Sequence, residues 1–379
     1  MNQLRHKIEQ EIRQRGPIPF SRYMELCLYD SEFGYYSRNA EQFGKAGDFY
    51  TSSDVHAVFG RLMARQFEEM WRALGSPAVI EIVELGPGRG LFAQDVLHWA
   101  EKKFPDFFHA LRYVLVERSA ALRQRIENTL ERQLRSGRVE VAEEYSEVQR
   151  SVAPATIVFA NEFFDALPID IISAHGSLRV DARDGRFVET WASPPPEEVE
   201  FLDRYSVHPD EGERLETPLI AQAWMERIAD QVHRGFVIAI DYGYTREEQL
   251  AGRHRGTLKA IRRHSVNATP YEAPGEQDIT ADVNFTALAA VASRHSMSAE
   301  KPVTQSQFLL GIGETNEFAD VFEECRLPQE RAKVALQLKH LVTPAGMGES
   351  FHVLVCSKGV PEENISNLAG LSFGKARRT

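Results

Sequence analysis

One stretch constrains this chain more than any other: Val79-Ile80-Glu81-Ile82-Val83, then Glu84-Leu85-Gly86-Pro87-Gly88-Arg89-Gly90, then a helical pattern over 91–103. An apolar run of this length fits a strand buried on both faces, the situation of a parallel sheet. Glycines at the strand's carboxyl end allow a sharp turn and let a ligand approach the backbone closely. The helix that follows opens with N–H groups that have no partner inside it. Strand, glycine bend and helix in that order predict an open α/β sheet.

The rhythm continues. Tyr113-Val114-Leu115-Val116 reads as a second strand, 119–134 as a helix, Val139-Glu140-Val141 as a short third strand and Thr156-Ile157-Val158-Phe159-Ala160 as a fourth. A helix over 217–233 leads to Phe236-Val237-Ile238-Ala239-Ile240. A helix over 284–296, an apolar segment at 308–312, helices near 315–325 and 329–341 and a late strand at 351–355, suited to antiparallel pairing, complete the pattern. Ahead of the sheet, residues 3–15 read as a helix stopped by Gly16-Pro17, a second short helix ends near Asp30, and a long helix runs from an Asp54 N-cap to about Leu74. Residues 169–215 break the rhythm: 170–184 reads as a hairpin turning at Asp184-Gly185, and Ser193-Pro194-Pro195-Pro196 as a rigid loop. The expected architecture is Rossmann-like: a mostly parallel seven-stranded sheet with helices on both faces. An N-terminal helical extension covers 1–77, the main domain 78–362 with an insertion at 169–215, and a flexible tail 363–379.

Composition removes several function classes. A net charge of −11 repels a phosphate backbone, so nucleic acid is a poor partner and a cationic peptide a better one. Cys27, Cys325 and Cys356 are far apart, which gives neither a zinc spacing nor a disulfide framework and fits a reducing compartment. No apolar run reaches the ~18 residues of a membrane span. The first fifteen residues carry Glu9 and Glu11 and no serine, unlike a transit peptide. The expectation is a bacterial cytoplasmic protein, placed in the mitochondrial matrix only if the chain is eukaryotic. No metal is expected: Asp278 and Asp282 read as orienting the loop before helix 284–296, and His264 as a solvated basic-loop residue.

The glycine spacing is GxGxG rather than GxGxxG, and Glu84 stands two residues before Gly86. A pyrophosphate gains little from a carboxylate there, whereas an ammonium-bearing amino-acid ligand does. Glu117 ends the second strand, where a carboxylate accepts two ribose hydroxyls. These features point to S-adenosyl-L-methionine, with S-adenosyl-L-homocysteine as product. Cofactor contacts are expected from Glu84, Gly86, Pro87, Gly88, Gly90, Glu117, Asn161 and Glu162. Open α/β sheets bind ligands at the carboxyl ends of their strands. There the fourth strand ends in Asn161-Glu162-Phe163-Phe164-Asp165-Ala166-Leu167-Pro168 and the fifth in Asp241-Tyr242-Gly243-Tyr244.

Taken with Gly47-Asp48-Phe49-Tyr50-Thr51-Ser52, Gly256-Thr257-Leu258, Pro274-Gly275, the run 278–283 and Gln307-Phe308-Leu309, these motifs resemble the MidA-like family of S-adenosylmethionine-dependent methyltransferases. The resemblance runs from about residue 16 to 358. It implies a class I methyltransferase fold and protein arginine N-methylation. It also implies a protein substrate with an accessible arginine, a subunit of NADH dehydrogenase or a similar protein, in the context of complex I assembly; a homodimer is compatible with it. A guanidinium stays protonated and is a poor nucleophile, so carboxylates must pin it. Glu162 and Asp165 are the first candidates, Asp48 and Asp241 the next, with Phe49, Tyr50 and Tyr242 as aromatic walls. Two alternatives share the cofactor loop: a small-molecule methyltransferase, and a non-catalytic assembly chaperone that keeps the cofactor as a structural ligand.

Overall fold

The computed structural model describes residues 3–37, 57–148, 155–262, 265–267 and 269–373. The chain divides into two compact units: Met1–Phe49, Phe163–Glu226 and Tyr242–Val291 in one, Tyr50–Glu162, Arg227–Asp241 and Ala292–Thr379 in the other. The latter, the sheet unit, holds β1 (Ile80–Leu85), β2 (Leu111–Val116), β3 (Val139–Ala142), β4 (Thr156–Asn161), β5 (Gly235–Tyr244, whose last three residues belong to the other unit), β6 (Ser298–Ala299), β7 (Val303–Thr304) and β8 (Phe351–Lys358).

The main path of the sheet runs β6-β8-β5-β4-β1-β2-β3. β1 pairs in parallel with both β2 and β4, β3 with β2, and β5 with β4. The late strand β8 is antiparallel to the short β6 and β7. The seven-strand path and the parallel centre are those expected from the apolar runs. Strand order reverses between β1 and β4, and that switch point is where such sheets bind ligands. Beneath it Phe92 stacks on Phe159 at 4.6 Å, with Phe67 edge-on to Phe159 at 5.5 Å, all buried.

Three local expectations differ. The helix expected over 119–134 is broken into Ala120–Thr129 and Glu131–Arg135, because Leu130 leaves helical geometry and the carbonyl of Thr129 accepts the Gln94 amide at 3.0 Å. Helix 315–325 shrinks to Ala319–Phe322, since Glu317 and Phe318 both take positive φ and the Phe318 N–H turns back to the Gly313 carbonyl. The segment expected as a flexible tail is ordered through residue 373: Glu362–Ser366 is helical and Leu368 and Leu371 are buried. Gln66 and Glu69 on helix Ala57–Ala73 accept the N–H groups of Gly370 and Ala369.

The second unit joins the N-terminal residues to the expected insertion. Helices Gln3–Arg15 and Phe20–Tyr29 flank a strand, Ile18–Pro19, that pairs antiparallel with Gly176–Arg183. Gly176–Arg183 pairs with Arg186–Ala192 across Asp184-Gly185, both at positive φ as a tight two-residue hairpin turn requires. A second tight turn joins Asp170–Ser173 to Gly176–Arg183, so the single expected hairpin is two. Pro196 begins a helix, Pro196–Tyr205, where a rigid loop was expected; its fixed φ suits the first helical position. Leu4, Ile8 and Ile12 share a core with Phe20, Tyr23, Leu178, Val180 and Ile279. The grouping departs from the expected boundaries: helix Ala57–Ala73 belongs with the sheet, and 169–215 with the N-terminal helices. Among the described residues no helix is long and apolar enough to cross a membrane.

Candidate functional site

The carboxyl ends of four consecutive strands, β5, β4, β1 and β2, carry the expected polar groups of the sheet unit. β1 runs into the glycine bend. Gly86, Gly88 and Gly90 have φ of 65°, 56° and 75°, the left-handed region that side chains disfavour. The Gly86 N–H donates to the Val116 carbonyl at 3.1 Å, which ties the bend to β2, and the Gly90 N–H donates to the Pro87 carbonyl at 2.9 Å. Gly90 caps helix Leu91–Lys103 without a side-chain hydrogen bond, so no side chain of the cap residue competes for the helix's first N–H groups.

Glu84 and Glu117 are buried, at 4% and 8% exposure. The Tyr113 hydroxyl donates to Glu84 Oε2 at 2.8 Å. Burial pushes the Glu84 carboxyl up to about 8; the Tyr113 hydrogen bond opposes the rise and the charge of Glu117 adds to it. Glu117 Oε1 accepts the Ser119 N–H at 2.8 Å. Burial lifts Glu117 to about 7 against the hydrogen bonds of the Ser119 and Gly88 backbones and the charge of Arg123. The groups acting on Glu84 are a phenol and a second carboxylate, neither of them cationic, so a cation brought by a ligand would relieve the burial. A cradle of open backbone at a helix start, with two buried acids lacking full compensation, fits a ligand that carries both an ammonium group and a ribose.

These shifts have a sign. An unfolded glutamate ionises near ~4.3, whereas folded Glu84 keeps its proton to about 8. Between those values the folded chain binds more protons, so this group makes stability fall as pH rises. Glu84→Gln is expected to melt at a higher temperature than wild type in ligand-free protein, by a margin that grows from pH 5 to pH 8. Thermal melts across that range that keep a constant difference would contradict it.

β4 ends in Asn161, whose side-chain amide donates to Glu162 Oε1 at 3.1 Å. Glu162 has φ of 51°, a backbone state costly for a residue with a side chain. Its N–H donates to the Ile240 carbonyl at 2.9 Å, which sets it beside the end of β5 and next in register to Asp241, itself fully buried. The structure therefore brings Glu84, Gly86, Pro87, Gly88, Gly90, Glu117, Asn161, Glu162 and Asp241 to one set of strand ends. Asp165 and Tyr242 belong to the second unit. Asp48, Phe49 and Tyr50, like His264, lie outside the described residues.

In the second unit Asp165 sits in a turn rather than at a helix start. Thr280 Oγ1 is 2.9 Å from its Oδ2 and 3.2 Å from its main-chain oxygen, and the Ala281 N–H donates to that same oxygen at 3.2 Å. Asp282 accepts from Lys259 Nζ at 3.1 Å and faces His254 Nδ1 at 3.0 Å. The Lys259 ammonium lies 5.7 Å from the centre of the Tyr242 ring. Tyr113, Thr280 and Lys259 were missed by sequence reasoning. Tyr113 alone left a signal: it lies two residues before Leu115, the register partner of Glu84, and so shares a sheet face with it.

Comparison with known proteins points the same way. Residues 62–303 match the model of a family described as "Putative S-adenosyl-L-methionine-dependent methyltransferase". The chain is 28% identical over 402 residues to the mitochondrial protein arginine methyltransferase NDUFAF7 homolog of Drosophila melanogaster, covering 98% of this chain and 88% of that protein. Against the mitochondrial protein arginine methyltransferase NDUFAF7 of Homo sapiens it is 27% identical over 384 residues, covering 92% and 82%. Among solved structures it resembles a Burkholderia thailandensis protein bound to S-adenosyl-homocysteine, with a TM-score of 0.82 and 28% identity over 97% of this chain and 94% of that one.

Proposed function

As the chain belongs to the family of S-adenosyl-L-methionine-dependent methyltransferases, we propose that its methyl acceptor is an arginine side chain of a protein. The observation that carries the reading is the pair of carboxylates Glu162 and Asp241 at adjacent strand ends, beside the glycine bend of the same unit. Relatives named as protein arginine methyltransferases over nearly the whole chain support the choice of arginine.

Bound there, the cofactor supplies a methyl group on a sulfonium and leaves as S-adenosyl-L-homocysteine. The backbone of 86–90 would cradle it, Glu117 would take the ribose hydroxyls, Glu84 would balance the ammonium group through its local network, and Asn161 would line the same face. Glu162, held at positive φ, would pin the guanidinium by paired hydrogen bonds and draw its charge away from the attacking nitrogen. Asp241, in the same unit, is the further candidate for the same task. Such positioning is worth ~7–11 kcal/mol of a barrier. The finer reading is a subunit of NADH dehydrogenase as target and a homodimer as the working form. The chain would act in a reducing compartment, the bacterial cytoplasm, which its three free cysteines suit.

The test incubates purified protein with methyl-deuterated S-adenosyl-L-methionine and an extract of cells lacking the gene, followed by mass spectrometry. Deuterated methylarginine in a protein is the expected result. Label found solely in small molecules would turn the reading to a small-molecule methyltransferase, and cofactor binding with no labelled product would turn it to a chaperone. Glu162→Gln is expected to lower the labelling rate about 100-fold or more while S-adenosyl-L-homocysteine still binds.

A further inference from the structure

The buried stretch of β2, residues 113–116, carries one polar side chain, Tyr113, which is 1% exposed. Packing alone would be served by phenylalanine, because a buried phenol costs free energy unless its hydroxyl is bonded. Among the described residues that hydroxyl has one partner, Glu84 Oε2 at 2.8 Å. Glu84 is flanked in register by Leu115 on β2 and Phe159 on β4, and neither side chain can bond a carboxylate. Tyr113 therefore supplies the hydrogen bond that fixes the acid, and it leaves Oε1 for another donor.

The choice of a phenol has a chemical consequence. A lysine or arginine in its place would hold Glu84 equally well but would cancel its charge. Burial, and next the charge of Glu84, keep the Tyr113 proton on well above the usual phenol range, so the side chain stays a donor and brings no charge of its own. The other group acting on Glu84 is Glu117, itself an acid and turned to the backbone N–H groups of Ser119 and Gly88. The carboxylate is thus oriented without being neutralised, which suits a cation that arrives with a ligand.

We propose that Tyr113 is a positioning residue that fixes the Glu84 carboxylate through Oε2 for the ammonium end of the cofactor, and so makes the site select ligands that carry an amino-acid tail. The inference rests on the placement of Glu84 at that end in the reading above. All three groups, Tyr113, Glu84 and Glu117, belong to the sheet unit. Burial raises the Glu84 carboxyl to about 8 and the Tyr113 bond opposes the rise, so removing the bond keeps the proton on Glu84 to higher pH.

The test is calorimetric titration of the full-length protein with two ligands: S-adenosyl-L-homocysteine, and 5′-methylthioadenosine, which keeps the adenosine and the thioether but lacks the amino-acid tail. The ratio of the two affinities isolates the tail, because the ribose contacts of Glu117 are common to both. Tyr113→Phe is expected to weaken S-adenosyl-L-homocysteine about tenfold at pH 8 and to leave 5′-methylthioadenosine within about twofold of wild type. The ratio should rise with pH as Glu84 ionises, and in Tyr113→Phe that rise should lag by about one pH unit. In a Glu84→Gln background the tyrosine substitution should cost the ratio nothing further. A Tyr113→Phe protein whose ratio and pH profile match wild type overturns the proposal, as does equal weakening of both ligands, the mark of packing damage. If Glu84→Gln itself leaves the ratio unchanged, the placement of Glu84 at the ammonium end falls and the inference with it. The arginine reading is tested separately, since no methyl acceptor is present in these titrations.

Discussion

Glu117→Ala is expected to weaken binding of S-adenosyl-L-homocysteine about 100-fold at pH 8 with the circular dichroism spectrum unchanged. The carboxylate stands at the end of β2, fixed by the Ser119 N–H at 2.8 Å, with lone pairs left over. Two hydroxyl groups donating to an ionised acceptor are worth about 1.5 kcal/mol each at the low end. Their sum, ~3 kcal/mol, is roughly two orders of magnitude in affinity. The gap should narrow at pH 6, where burial keeps much of wild-type Glu117 protonated and the wild type itself binds less well. Calorimetric titration at both pH values measures it. A variant that binds within threefold of wild type at pH 8 would remove Glu117 from the site.

Phe159→Ala should cost about 3–5 kcal/mol of stability, the usual range for emptying a buried phenylalanine site. Phe159 is 1% exposed on β4, the strand between β1 and β5, and touches two other rings. Helix Leu91–Lys103 supplies Phe92 and helix Ala57–Ala73 supplies Phe67, so one truncation opens the seam between a sheet and two helices. Helix Leu91–Lys103 cannot shift inward far without pulling the bend at Gly90, because Phe92 is the second residue after it. Urea unfolding is the measurement, and a loss under ~1 kcal/mol would mean the seam closes by repacking. Cofactor should recover part of the loss, since a ligand of the folded state stabilises by mass action.

Much of the sheet was legible because buried parallel strands are apolar runs and the bend between β1 and its helix is written in glycine. The placement of Glu84 and Glu117 was legible for the same reason: they are charged residues at the ends of apolar strands, where packing offers them nothing. Helix Pro196–Tyr205 was hidden by the run of three prolines, 194–196, whose last residue opens it, although proline at a first turn is compatible with a helix. The ordered end of the chain was hidden because its fixing contacts come from Gln66 and Glu69, far off in sequence. The grouping of the N-terminal helices with the insertion was unreadable in principle, since a two-residue strand such as Ile18–Pro19 has no periodicity to detect. The same holds for the surroundings of Asp165: Thr280 bonds it from 115 residues along the chain.

The pairing of Ile18 with Val180 has a consequence for birth order on the ribosome. The first two helices emerge early, with Phe20 and Tyr23 facing the core they later share. Their partner strand follows roughly 160 residues behind, on the order of 10–30 s at ordinary rates of synthesis. Ile279, which completes that core, comes later still. For that interval the nascent chain carries an unfinished apolar surface, and a holdase that shields its leading end should raise the yield of folded protein more than any agent acting after release.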